Sequence, residues 1–304
     1  LPIWLCAVLT THHILLDGWG LPIVLGEVQA LYRAACAGRP LELAPVRPYS
    51  DYLAWLRQQD QAAAESFWSK RLHGFAAPTP ILTRAAGKED AEDAATGFGE
   101  YRAFIAPEAL EGLRTLARQS QVTLSTLLQG LWALLIGRYS GMRDVLFGIT
   151  VSGRPASLPG VETMVGLFIN TVPLRVAIEP EQPLTAWLQA LQAAAIEQQP
   201  FEHCAAGQIQ QWSEVPAARR LYESLLVFEN YPAVAGSEAD QSFTLQEVHS
   251  VGAQTQYPLT VTVFPQQGLH VTFIFNRAAF AAPDVERLAV HLQALIEKAA
   301  ERAG

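Results

Sequence analysis

Apolar and polar positions follow two different periods along this chain, and the switches between them mark out its elements. Residues 1–11 form a short apolar run of the kind that suits a buried strand, and it ends at the polar pair His12-His13. After Asp17-Gly18 the apolar positions Leu21, Val24, Leu25, Val28, Leu31 and Tyr32 recur at helical spacing until Gly38, which reads as a stop. The pattern predicts a strand, a polar turn and an amphipathic helix in succession, with the His pair at the strand end.

Two further helical stretches, near 50–59 and 62–72, precede residues 76–99, which are rich in Pro, Ala, Gly and acidic side chains and lack periodicity. That segment reads as a linker or lobe boundary. Beyond it the pattern predicts a strand at 101–105, a helix opened by Pro107, and a second helix with Leu124, Leu127, Leu128, Leu131, Leu135 and Tyr139 on one side. Strands are expected at 145–151 and 167–176, and a helix at 183–199. The remainder alternates strands at 221–228, 243–248, 259–264 and 269–275 with a last helix at 283–300. No internal repeat is present. The class is α/β or α+β with a mixed sheet, divided into residues 1–95 and 96–304.

Half of the 304 residues are hydrophobic, enough for one large core or two smaller ones. With 29 acidic against 21 basic residues and no Lys/Arg run, the net charge of -8 offers no footprint for nucleic acid. The apolar stretches are too short or too interrupted to span a bilayer, and no secretory signal opens the chain, so no membrane partner is expected. Cys6, Cys36 and Cys204 are few, odd in number and far apart, which suggests neither a disulfide framework nor a metal site, and points to the reducing cytoplasm. The chain lacks an initiator Met and opens inside an apolar run, as expected of a piece cut within a core strand.

Candidate chemistry concentrates at His12-His13-x-x-x-Asp17-Gly18. Two adjacent residues at a strand end point to opposite faces, so one imidazole can enter a cleft while the other packs behind it. An imidazole, with an ordinary pKa of about 6.5, accepts or donates a proton near neutrality. Asp17 has two readings: its carboxylate caps the following helix, or it holds a distant Arg and fixes the turn. Gly18 lets the backbone bend or approach a ligand closely. The same residues could merely close a strand and cap a helix. Metal binding is a weaker rival, because adjacent His on a strand do not aim at one point.

The wider sequence resembles the condensation domains of nonribosomal peptide synthetases. Thr11-His12-His13-Ile14-Leu15-Leu16-Asp17-Gly18-Trp19 is similar to the family's HHxxxDG signature, including the Trp that follows it. Residues 49–55, beginning Tyr49-Ser50-Asp51-Tyr52, resemble its next block, and Val165-Gly166-Leu167-Phe168-Ile169-Asn170-Thr171-Val172-Pro173-Leu174-Arg175 resembles its GxFVNTxxxR block. Gln199-Pro200-Phe201-Glu202 looks like the core of QDxPFE. Residues 224–232 resemble a segment common in domains that join two L-configured residues. Each block alone could be an ordinary strand, turn or helix start, but their order and spacing agree along the whole chain.

The resemblance implies a two-lobed fold similar to chloramphenicol acetyltransferase, with mixed sheets flanked by helices, the first lobe incomplete, and the HHxxxDG turn in a tunnel between the lobes. It implies donor and acceptor peptidyl carrier domains that deliver thioesters on phosphopantetheine arms, an adjacent adenylation domain, and no cofactor or metal of the chain's own. His13 becomes the catalytic histidine and His12 its structural neighbour. Gly18 would lend a backbone N–H to the oxyanion or acceptor. Asp17 would pair with an Arg of the other lobe, for which Arg154 is favoured over Arg175, with Trp19 beside them; Asn170 and Thr171 would line the tunnel. The reaction implied is attack of the acceptor amine on the donor thioester, of L-to-L type by the resemblance of residues 224–232.

Some residues depart from the family pattern. Gly20 stands where Ser is frequent, the RDxSRNPL block has no clear copy, and the portion that precedes HHxxxDG in the family is absent, so the piece is expected to be inactive alone and prone to self-association. Two alternatives share the fold: an epimerization domain, disfavoured by the sequence around Gly166, and a noncatalytic carrier-binding module, disfavoured by an intact His13. A heterocyclization domain would replace the His pair with Asp-rich chemistry that Asp17 alone does not supply.

Overall fold

The stretch from Leu124 to Ser140 is apolar on nearly every side, and the fold uses it as a central helix in a computed structural model that describes residues 9–81, 97–229 and 256–302. The chain divides into two compact units. Residues 60–81, 97–151, 170–229 and 256–302 form the larger, and residues 9–59 with 152–169 form the smaller.

The larger unit is built on a six-stranded sheet: β1 (Phe98–Ile105), β2 (Asp144–Val151), β3 (Asn170–Ala177), β4 (Ser224–Phe228), β5 (Leu259–Gln266) and β6 (Gly268–Asn276), in the order β1-β6-β5-β4-β2-β3. Pairing is parallel where β4 meets β2 and β5, and antiparallel elsewhere. The mixed α/β class expected from the sequence is therefore observed. In β6 the buried positions Val271, Phe273 and Phe275 alternate with less buried neighbours, the period of a strand that presents one face to a core.

Helices cover this sheet. Of this unit's helices, α3 (Gln61–Leu72) begins where Asp60 Oδ1 accepts from the Ala63 N–H at 3.0 Å, and α5 (Leu124–Ser140) begins where Thr123 Oγ1 accepts from Thr126 N at the same distance. Earlier in the chain lie α1 (Gly20–Cys36) and α2 (Tyr49–Arg57), and between α3 and α5 lies α4 (Pro107–Gln119), opened by proline as expected. After them come α6 (Leu184–Gln198), the short α7 (Ala206–Gln211) and α8 (Ala282–Glu301). In α8, Val285, Leu288, Ala289, Leu292, Ile296 and Ala299 are buried at helical spacing.

The division expected after residue 95 falls outside the described residues. The compact units nevertheless part earlier, after Gln59, because Trp68, Leu72, Phe75 and Ile81 lie in the core of the larger unit. Most of the strand expected at 1–11 and the whole of that at 243–248 also lie outside the described residues, as do Cys6 and most of the proposed linker. Residues 9–11 carry no strand, so His12 and His13 stand in a loop and turn rather than at an observed strand end.

The smaller unit has a minor core of Tyr52, Leu158, Val161, Met164 and Phe168, against which Tyr49, Trp55 and Leu56 pack. Its α1 departs from the sequence expectation. The residues buried there are Gly20, Gln29 and Ala34, whereas Val28, Leu31 and Tyr32 of the apolar stripe stay exposed. Ten of the thirteen large hydrophobic side chains exposed among the described residues fall between Leu9 and Leu53, so the described part of this unit leaves much of its apolar surface open. Among the described residues no single helix is long and apolar enough to cross a membrane.

Candidate functional site

The site is built around a carboxylate that is 3% exposed. Asp17 follows the turn His12 to Leu15, which closes when Leu15 N–H donates to His12 O at 3.0 Å. His12 folds its ring back on that turn, with Nδ1 accepting from Ile14 N–H at 3.1 Å. That bond keeps the ring engaged with its own backbone. His13 is exposed, and its ring makes no hydrogen bond among the described residues.

Asp17 performs both tasks that the sequence left open. Its Oδ1 accepts from Trp19 N at 3.1 Å and Gly20 N at 2.9 Å, N–H groups at the start of α1, where the helix dipole also favours negative charge; Gly20 N also donates to Asp17 O at 3.1 Å. Its Oδ2 accepts from Phe168 N at 3.0 Å and Ile169 N at 3.3 Å. Arg154 Nη2 completes the set, 3.3 Å from Oδ1. Arg175 lies elsewhere, holding Asp144 at 2.6 Å.

Arg154 belongs to the same compact unit as Asp17, so the pair lies within that unit. The chain leaves β2 after Val151 and returns to the sheet only at Asn170, and the intervening residues fold around the Asp17 turn. Arg154 meets Asp17 through Nη2 alone and uses Nη1 to donate to the carbonyls of Val161 at 2.5 Å and Met164 at 2.9 Å. Its guanidinium carbon lies 4.0 Å from the Phe168 ring centroid and 6.0 Å from that of Trp19. Burial pulls the Arg154 pKa down, and Asp17 offsets part of that fall.

The same contacts explain why β3 starts three residues later than the sequence pattern suggests. Phe168 and Ile169 give their N–H groups to a carboxylate instead of a neighbouring strand. Two glycines allow the wrap. Gly153 has φ +62°, and a Cβ there would sit 1.7 Å from Phe168 O. A Cβ on Gly166 would sit 2.2 Å from the Tyr49 ring, whose hydroxyl donates to Leu167 O at 2.5 Å. Burial raises the pKa of Tyr49, and pushes that of Tyr52 up to about 12. Trp19 adds a hydrogen bond from Nε1 to Glu162 O at 3.3 Å.

Gly18 does not have a left-handed φ, so no special backbone freedom is required of it, and its N–H has no partner among the described residues. Asn170 and Thr171 belong to the larger unit. Asn170 Nδ2 donates to the carbonyls of Glu202 and Cys204, both at 2.7 Å, and its Oδ1 accepts from Thr171 N at 2.9 Å. The Asn170 amide is thus occupied in fastening residues 202–204 to the start of β3. Sequence reasoning gave no role to Glu202 beyond its motif, yet burial raises its carboxyl pKa to about 7. An acidic residue in an otherwise apolar Pro-Phe context was the available signal.

Three comparisons bear on this arrangement. A family model described as "Condensation domain" matches residues 4–303. The chain is 41% identical over 294 residues to a linear gramicidin synthase of Brevibacillus parabrevis, covering 97% of this chain and 6% of that protein. It is 43% identical over 285 residues to chondramide synthase cmdD of Chondromyces crocatus, covering 93% of this chain and 7% of that protein. The chain therefore spans less than a tenth of the length of either relative. In fold it is similar to the SgcC5 protein of Streptomyces globisporus, with a TM-score of 0.75 at 20% identity over 96% of this chain and 68% of that one. It is likewise similar to the first condensation domain of the CDA synthetase, with a TM-score of 0.73 at 16% identity over 95% of this chain and 63% of that one.

Proposed function

Because this chain belongs to the condensation-domain family, with nonribosomal peptide synthetases among its relatives, we propose that it supplies the turn at which a peptide bond forms between two carrier-bound substrates. The acceptor's α-amine attacks the donor's thioester carbonyl. A C–N bond forms, the C–S bond breaks, and the proton lost by the amine is balanced by the thiol released on the donor arm. The phosphopantetheine arms belong to the partner carrier domains, and an adjacent adenylation domain loads the acceptor.

His13 is the residue assigned to the amine. It removes the proton or hydrogen-bonds and orients the nitrogen as the tetrahedral intermediate forms. An α-amine has an ordinary pKa near 8, so a sizeable neutral fraction exists at pH 7 and orientation can suffice. The unpartnered N–H of Gly18 is assigned to the developing oxyanion. Asp17 and Arg154 act at a distance from the reacting atoms, as the buried anchor of the turn.

The observation that carries the reading is the contrast within five residues: an exposed, unengaged imidazole at His13 and a carboxylate at Asp17 held by four backbone N–H groups and one guanidinium. The test is dipeptidyl transfer between two loaded carriers by a complete domain carrying this sequence. His13→Ala should lower the rate by about 10²-fold or more, the range of general acid–base and positioning effects. Equal rates in both forms would remove His13 from the chemistry. L-to-L selectivity is proposed from residues 224–232, and a donor of D configuration should react more slowly in the same assay.

A further inference from the structure

A concavity lies wholly within the larger unit, where the C-terminal end of α3, the ends of β2 and β3, and α6 line a cleft of about 740 Å³. Its floor is apolar, with Phe67, Val176, Trp187 and Leu191 among its residues. Its charged groups are arranged unequally. Arg175 is committed to Asp144 through contacts of 2.6, 3.0 and 3.1 Å, and its Nη1 also donates to the carbonyls of Arg71 and His73 at 3.2 and 2.7 Å. Those bonds fasten the end of α3 to β3 and fix where Arg71 stands.

Three further cations line the same cleft: Lys70, Arg71 and Arg143. Among the described residues none of their side chains makes a hydrogen bond or a salt bridge. Arg71 Nε is moreover buried without a partner, a state that buried donors seldom keep unless a ligand or water meets them. Facing these cations are Glu179 and Glu197, of which Glu197 acts favourably on the Arg71 charge.

We propose that this cleft binds an organic phosphate, with the phosphate at Lys70, Arg71 and Arg143 and its apolar part over Trp187 and Leu191. Three cations from two segments of the chain offer more donors than a carboxylate's two oxygens can use, and suit the three or more acceptor oxygens of a phosphate. With two acids on the rim, the three unpaired cations leave a small positive excess. One phosphate monoester, at about −1.5 to −2 near neutrality, already exceeds that excess, and a polyphosphate would add further charge facing Glu179 and Glu197. The apolar floor calls for a ligand with a hydrocarbon or ring attached, not for a bare ion. Nothing in this site depends on the peptide-bond reading.

The test uses the 304-residue chain and three probes: hexyl phosphate, inorganic phosphate and hexanol, titrated at about 150 mM NaCl, near physiological ionic strength, by calorimetry and by chemical shifts of the Trp187 indole. Hexyl phosphate should saturate the site and bind at least about tenfold more tightly than either other probe. Lys70→Gln and Arg143→Gln should each weaken it about tenfold, and Glu197→Gln should strengthen it. Lys70 and Arg143 are exposed, so both variants keep the fold, and unchanged thermal unfolding verifies this. Vesicles of phosphatidylglycerol distinguish the source. Co-sedimentation abolished by Arg143→Gln assigns a lipid headgroup, and its absence beside intact hexyl phosphate binding assigns a soluble ester. No saturation by hexyl phosphate, equal affinity for inorganic phosphate, or binding indifferent to both Gln variants would overturn the site.

Discussion

Replacing Asp17 by Asn tests the anchor most directly, because the two side chains have the same shape and differ in charge and hydrogen-bonding pattern. One oxygen of Asp17 faces the N–H groups of Trp19 and Gly20 and the Arg154 guanidinium, and the other faces those of Phe168 and Ile169. An Asn amide must turn its NH2 toward one of these sets, so donors meet donors whichever way it flips. Each buried N–H left unpaired costs about 1–3 kcal/mol. Arg154, 5% exposed, also loses its counter-charge, and breaking a buried ion pair from one side costs about 3–5 kcal/mol. These terms overlap, so the expected loss is ~3–5 kcal/mol, confined first to the smaller unit. Hydrogen exchange at Gly20, Phe168 and Ile169 should accelerate by about 10²-fold or more, and the urea midpoint should fall. Adding Arg154→Met to Asp17→Asn should restore part of the loss, because the orphaned charge disappears. Exchange rates at those amides that change by less than about threefold, with an unmoved midpoint, would refute the anchor.

Glycines around the same turn should respond in opposite senses. Gly166→Ala places a methyl 2.2 Å from the Tyr49 ring and should cost about 1–3 kcal/mol in urea unfolding. Gly20→Ala meets nothing closer than 3.4 Å and lies at the start of α1, so it should stabilise by about 0.4–1 kcal/mol in the same measurement. Glu202 should shape the pH dependence. Its carboxyl pKa is raised from 4.5 to about 7 in the folded chain, so the native state binds the extra proton between those values and stability falls as pH rises through that window. Glu202→Gln should remove that slope and be more stable than the parent above about pH 7, by as much as ~3 kcal/mol. Parallel stability curves for the two proteins from about pH 4 to 8 would contradict the burial of that carboxyl.

The elements that could be read in the sequence are those whose patterns are complete within themselves. α4 announces itself by Pro107 and a clean apolar stripe, α8 by its spacing, and β6 by alternation. The six residues of α7 have too little length to show a period, and no sequence signal predicted them. β3 was expected too early because Phe168 and Ile169 have strand-like side chains, while their N–H groups are taken by a carboxylate 151 and 152 positions away. The grouping of residues 152–169 with α1 and α2 is likewise a long-range effect, invisible to local periodicity. The sequence shows that Asp17 can cap or hold an Arg, but only the family resemblance, not spacing, points to Arg154 as that partner. Asn170, expected to line a tunnel, has a side chain spent on two carbonyls, a role its sequence position does not reveal.

Asp17 grips main chain, and this has a consequence for how freely the site can be redesigned. Four of its five contacts are to amide hydrogens that every amino acid but proline possesses, so the identities of residues 19, 20, 168 and 169 are largely invisible to it. A library that varies the side chain at position 169, with proline withheld, should therefore leave the turn in place, whereas Trp19 and Phe168 are held in addition by the bond to Glu162 O and by packing in the minor core.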